Sequence, residues 1–263
     1  MNPEDSAALL RAVRQIEHPG FGARLAAYSS QPLDAAMRYL PSGVHRRIRD
    51  VVQVVILNCL KIAIGSLGKQ KFGRWSNLYA KTIVGLSGGV GGFFGLYGLP
   101  FELPVTTTLM LRSIADIARH AGEDLSKVES LLACLEVFAL GARDSRTQAH
   151  EDYYALRVVL TQLSGEMAAL MLERGAVSAS APVVAKIVGE IAGRFGLVVA
   201  DMSASTMVPV LGAVGGAAIN ILFMDHFQQV AEGHFTVRRL ERRYGFEQVK
   251  QHYDEYRRQL PSP

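Results

Sequence analysis

The chain has 263 residues, with 28 lysines and arginines against 24 aspartates and glutamates, a formal net charge of +4. At 49% hydrophobic and 20% charged residues it carries enough apolar side chains to bury a core, which excludes a disordered chain. The basic surplus is small and forms no long block, which argues against nucleic acid as a partner.

Almost every segment reads as helix, and strand alternation is scarce. Pro3, Glu4 and Asp5 open a first helix with a stripe of Leu9, Val13 and Ile16, and His18-Pro19-Gly20 ends it. A short helix is expected over residues 32–40, then a break at Pro41-Ser42-Gly43. A longer helix follows over residues 44–67. Arg46, Arg47 and Arg49 crowd its start, the end of a helix dipole that disfavours cations, so an acidic partner is expected there, internal or external.

The next helix is expected over residues 74–87 and enters a glycine-rich run. A helix over residues 102–121 ends at Gly122, and Ser126 and Glu129 have capping-box spacing for a helix reaching Leu140. A long amphipathic helix over residues 148–174 carries Tyr154, Val158, Leu160, Leu163, Met167, Leu170 and Met171. Residues 175–181 are small and read as an exposed linker. Helices over residues 182–195 and 207–224 lead into a polar, basic helical pair over residues 225–260. No clean boundary divides the chain. The reading is all-α, a single multi-helix domain over residues 1–263, with any subdivision near 175–181.

Two segments carry no charge: residues 82–101 and residues 202–224. Each is long enough to cross a bilayer core as a helix. Glycines at 85, 88, 89, 91, 92, 95 and 98, with Pro100, weaken the first as an isolated helix, because each glycine costs roughly 0.8–1 kcal/mol relative to alanine. Gly88/Gly92, Gly91/Gly95 and Gly212/Gly216 are four apart, a spacing that lets another helix backbone approach closely. Asn220 shares the Gly212–Gly216 face. Two glycine-rich apolar helical hairpins packed together are therefore expected, in a protein core or shallowly in a membrane.

Polar groups on apolar helices add candidates. Arg112, Asp116 and His120 stand four apart on one helix, with Arg119 on the flank; the spacing suits a salt bridge and, less well, a ligand anchor. Arg238, Arg239, Arg242 and Arg243 form a basic face beyond the second uncharged segment, where anionic lipid headgroups would meet it. No metal or cofactor is expected. Cys59 and Cys134 lie in apolar stretches without C-x-x-C spacing, and His226 and His234 are eight apart, too far for a helical zinc pair. Gly85-Leu86-Ser87-Gly88-Gly89 matches a nucleophile elbow in letters but lacks the strand before it. Residues 65–70 fail the phosphate-binding loop at Ala63 and Gln70.

Several stretches together resemble one family. They are Glu17-His18-Pro19-Gly20-Phe21, Leu99-Pro100-x-Glu102-Leu103-Pro104, Arg112-Ser113-Ile114-Ala115-x-Ile117-Ala118 and Gly122-Glu123-Asp124. Pro209-x-x-Gly212-x-x-x-Gly216-x-x-x-Asn220 and the run from Phe223 to Glu241 complete the pattern. The chain resembles the EcsC family, a bacterial group named after a gene that accompanies an ABC-type exporter, over roughly residues 5–245. The resemblance implies a cytoplasmic helical protein associated with membrane, and supplies no reaction and no catalytic residues.

The favoured expectation is a non-enzymatic protein at the cytoplasmic membrane face, in contact with lipids and an accessory to a membrane transporter or envelope complex. The early acidic residues and the lack of a signal-like apolar run fit that location. The alternatives are a soluble shell binding a lipid or other apolar ligand, with Arg112 anchoring an acidic head, and a hydrolase using Ser87.

Overall fold

A computed structural model describes residues 1–17, 24, 44–65, 99–142, 152–174, 181–206 and 215–260. These form eight helices and no strand: α1 (Pro3–Ile16), α2 (Val44–Gly65), α3 (Leu99–His120), α4 (Val128–Leu140), α5 (Tyr153–Arg174), α6 (Pro182–Thr206), α7 (Gly215–Tyr244) and α8 (Phe246–Gln259). The class is all-α, as the sequence predicts.

α4 organises the packing. Every residue from Ser130 to Leu140 is buried, so the helix has no solvent-facing side. A helix apolar all round must be covered all round. Five neighbours, α2, α3, α5, α6 and α7, supply that cover. α6 lies against both α2 and α5, while α7 also carries α1, α3 and α8. One contiguous cluster of buried side chains runs from Leu9 on α1 to Tyr253 on α8. At its centre Phe138, Phe195, Phe223 and Phe227 interlock, with ring centroids from 4.9 Å for Phe138–Phe195 to 5.9 Å for Phe195–Phe223. Each such pair adds about 0.5–1.5 kcal/mol beyond its buried area.

Local chemistry sets the helix ends. Pro3 opens α1, and the side-chain oxygen of Asn2 accepts the Asp5 amide at 2.7 Å. Gly122, at φ +83°, closes α3: its amide reaches Arg119 and the Glu123 amide reaches the Ala118 carbonyl, both at 3.0 Å. The expected capping box at α4 is not formed. Ser126 instead turns back, donating its amide (3.0 Å) and its hydroxyl (2.6 Å) to Asp124 Oδ1, and Lys127 precedes the helix without a side-chain cap. The nearer carboxylate wins the competition for Ser126.

Other boundaries also differ. α3 begins at Leu99, with Pro100 in the first turn, where its missing amide costs no bond, and Pro104 inside the helix. α6 continues past Phe195 to Thr206, and α7 runs unbroken through Asp225. The apolar face of α7 continues as Phe223, Phe227, Val230 and Phe235, all buried, so the charge at Asp225 marks the outside of a turn and not an end. The second uncharged segment is thus divided between the end of α6 and the start of α7, with 207–214 outside the described residues. The expected helices at 32–40 and 74–87, most of the glycine-rich run and residues 175–180 also lie outside them.

Two kinds of glycine can be told apart. At Gly233, where α1 crosses α7, an added Cβ would stand 2.8 Å from Ile16 Cγ1 and 2.9 Å from the Ala12 carbonyl oxygen. At Gly165 on α5, and at Gly189, Gly193 and Gly196 on α6, it would meet nothing within 4 Å among the described residues. Gly233→Ala should therefore lose about 1–3 kcal/mol by overpacking. Gly165→Ala should gain up to about 1 kcal/mol from helix propensity. Thermal unfolding of the two variants checks both; equal shifts would contradict the packing described.

Candidate functional site

Charged groups tie the ends of the helices together around α4. Glu123, in the α3–α4 turn, accepts from Arg238 Nε at 2.9 Å and Nη2 at 3.1 Å, and from the Ser130 hydroxyl at 2.8 Å. Arg242 pairs with the same carboxylate and donates to the Ala121 carbonyl at 2.8 Å. At the same turn of α7, Arg157 of α5 grips Glu241 through two bonds of 2.6 Å, and the Tyr154 hydroxyl donates to that carboxylate at 3.2 Å. The Arg157 guanidinium also lies 5.8 Å from the Tyr153 and Tyr154 ring centres. Tyr253 of α8 stacks on Tyr153 at 5.1 Å and donates its hydroxyl to Glu17 at 2.6 Å. Arg243 (3.0 Å) and the Tyr244 hydroxyl (2.8 Å) both reach Asp5 on α1.

Two titratable groups stand inside this frame. The Glu136 carboxyl, fully enclosed on α4, accepts from the Ser164 hydroxyl at 2.8 Å. Its other oxygen has no hydrogen-bond partner among the described residues. Burial raises its pKa, against the pull of Ser164, Arg238 and Arg157. His234 shares a hydrogen bond with the Tyr153 hydroxyl at 2.9 Å, and burial, helped by Arg157 and Arg238, holds it neutral. Burial pushes the Cys59 thiol up to about 12 and raises Cys134 as well, so neither is a reactive thiolate. Burial alone would raise Glu123, yet Arg238, Ser130 and Arg242 together hold it down to about 2. The serines donate to carboxylates and none in this network meets a histidine. The arrangement clamps helices to one another. Among the described residues no group of three His, Cys, Asp or Glu side chains could hold a metal ion.

The residues singled out from the sequence are scattered by the fold. Asp116 is buried and pairs with Arg119 at 2.8 Å, while Arg112 is exposed. The His120 ring bonds the Asp116 carbonyl at 2.7 Å. An acid three residues before a cation suits a helix better than a cation four residues before an acid. Arg238, Arg242 and Arg243 are held by Glu123 and Asp5, and of the four basic candidates only Arg239 is exposed without an ion pair among the described residues. Pro100 and Gly216 lie in the first turns of α3 and α7, and Asn220 is buried on α7. Gly88, Gly92, Gly95, Gly212 and Ser87 lie outside the described residues. Glu123, Arg157 and Glu241 were not legible as a network, because the pairs Arg157–Glu241 and Glu123–Arg242 span 84 and 119 residues, and even Glu136 meets Ser164 across 28. The signal available was an arginine, Arg157, inside an apolar helix.

The outer surface is uneven. Val54 and Ile62 on α2, Val158, Val159 and Leu172 on α5, and Leu197 on α6 are exposed, Leu172 at 87%. These three helices are adjacent, and they also carry the open glycines 165, 189, 193 and 196. Arg46, Arg47 and Arg49 are exposed at the start of α2 and make no ion pair among the described residues. α5 is the one described helix long and apolar enough to cross a membrane, with 33% of its apolar window buried.

The model of the EcsC protein family matches residues 70–240, well over half of the chain. The chain belongs to the EcsC family. No curated protein and no solved structure matches it. Within the matched region of this EcsC protein lie Glu123, Glu136, Arg157, Ser164, His234 and Arg238, whereas Asp5, Glu17, Glu241 and Tyr253 lie beyond it.

The clamp carries a pH signature. Glu123 titrates near 2 when folded against 4.5 when unfolded, so its stabilisation is complete above pH 4.5 and is lost as pH falls toward 2. His234 resists protonation when folded, so stability also falls as pH drops below 6.5. Glu136 has the opposite sign: the folded state holds its proton more tightly, and its contribution is lost as pH rises above 4.5. Denaturation followed from pH 7 to pH 2 should lose stability below pH 6.5 and faster below 4.5, as those two values require. Glu123→Gln should flatten the lower limb, and Glu136→Gln should gain on the wild type as pH rises. An acid limb untouched by Glu123→Gln would contradict the clamp.

Proposed function

We propose that this EcsC protein is a non-enzymatic helical protein that associates with the cytoplasmic face of the membrane. The contact surface in this reading is the outer face of α2, α6 and α5. The observation that carries it is that six of the nine large apolar side chains exposed among the described residues lie there, Val54, Ile62, Val158, Val159, Leu172 and Leu197, against Val105 on α3, Ile221 on α7 and Phe246 on α8; four glycines beside them meet no described atom above. Apolar exposure gathered on adjacent elements marks a binding surface, where scattered exposure does not. Shallow docking fits better than a span. α5 is anchored along its length by Arg157 to Glu241 and by Ser164 to Glu136, and crossing a bilayer would cost those contacts. A membrane-protein partner, such as the ABC-type transporter that the family's name suggests, would be met from the same surface. The C-terminal arginines contribute less than their sequence suggests, because Glu123 and Asp5 already neutralise three of them.

Fractionation of cells expressing the untagged protein tests this reading. The wild type should sediment with membranes and remain there through a high-salt wash. Val158→Ser, Leu172→Ser and Leu197→Ser combined should move most of it to the soluble fraction while leaving the unfolding temperature nearly unchanged, since all three side chains are exposed. A fully soluble wild type, or a triple variant that stays membrane-bound, would overturn the reading.

A further inference from the structure

We infer that the docking surface selects anionic bilayers, and that Arg46, Arg47 and Arg49 at the start of α2 are the groups that read the negative charge. The inference rests on the membrane reading above and adds the chemistry of the partner. All three guanidiniums are exposed, and none has a carboxylate partner among the described residues. Asp50, one turn on, is exposed and forms no ion pair with them. The cluster therefore keeps its full charge at the helix end where cations gain nothing from the backbone dipole. Arg238, Arg242 and Arg243, by contrast, are each bound to a carboxylate of this chain.

Position supports the assignment. The same helix exposes Val54 and Ile62 and packs against α6, which exposes Leu197. Lys61 on α2 and Lys186 on α6 are also exposed and unpaired among the described residues, against Asp50, Glu166 and Glu173 on the same three helices. Apolar side chains bordered by unpaired cations match the boundary of a bilayer, where acyl chains end and phosphates begin. An uncharged partner surface would leave the three arginines without a counter-charge, and a nucleic acid would leave the apolar face uncovered.

Vesicle co-sedimentation tests the inference, with the full chain and two compositions: phosphatidylcholine alone, and phosphatidylcholine mixed with phosphatidylglycerol. The wild type should bind the mixed vesicles more tightly, and salt should reduce the difference. Arg46→Gln, Arg47→Gln and Arg49→Gln combined should weaken binding to mixed vesicles by up to roughly 100-fold while leaving binding to neutral vesicles unchanged. Arg239→Gln, which alters one exposed arginine elsewhere, should cost far less. The triple variant should unfold at the wild-type temperature or above it, since cations leave an unfavourable helix end. Equal wild-type binding to both compositions, a triple variant that keeps the preference, or one that unfolds well below the wild type would overturn the inference and leave the membrane reading standing. Failure of the wild type to bind either composition would overturn both.

Discussion

The structure depends on covering α4. From Ser130 to Leu140 no side chain of that helix faces water, so five helices must close around it. Its few polar groups show how strict the constraint is. Ser130 donates to Glu123 in the preceding turn, and Cys134 to the Ser130 carbonyl. Glu136 accepts from Ser164, and burial raises its carboxyl pKa. A charged Glu136 would compete for Arg238 and Arg157, each already committed to another carboxylate. Burial that disfavours charge at the centre and ion pairing at the rim thus belong to one arrangement.

The rim is built from the last turns of α7. Arg238, Glu241, Arg242, Arg243 and Tyr244 point in successive directions and join the α3–α4 turn, α5 and α1. α8 then closes over this region through Tyr253, between the rings of Tyr153 and Tyr154 and the carboxylate of Glu17. A stretch that looks like a solvated basic face is in this way the knot that holds both ends of the chain.

Much of the fold was legible. Leu9, Val13 and Ile16 form the predicted stripe of α1 and all three are buried, because a 3.6-residue period survives any tertiary context. Gly122 ends α3 as expected, since few residues other than glycine adopt its φ of +83°. What local reading missed depended on distant partners. The pairing of Arg243 with Asp5 spans 238 residues, and nothing near Arg243 announces it. The ends expected at Phe195 and Asp225 were misplaced because composition changes there while the buried face of each helix runs on. The candidate surface was half visible. The unbalanced arginines of α2 stood out in the sequence, but the apolar outer faces of α5 and α6 emerged only once the inner faces were assigned.

The proposed membrane reading, with the C-terminal arginines neutralised internally and α2, α5 and α6 exposed, requires one orientation: Leu172 of α5 toward the bilayer and the outer side of α8 away from it. An environment-sensitive fluorophore reports that orientation directly. The label is placed at position 172 on α5 in one variant and at position 255 on α8 in another; Cys59 and Cys134 are buried and do not compete for it. On adding phosphatidylcholine–phosphatidylglycerol vesicles, the label at 172 should shift to the blue and become shielded from an aqueous quencher, while the label at 255 stays unchanged. A blue shift confined to position 255, or none at either, would contradict the account.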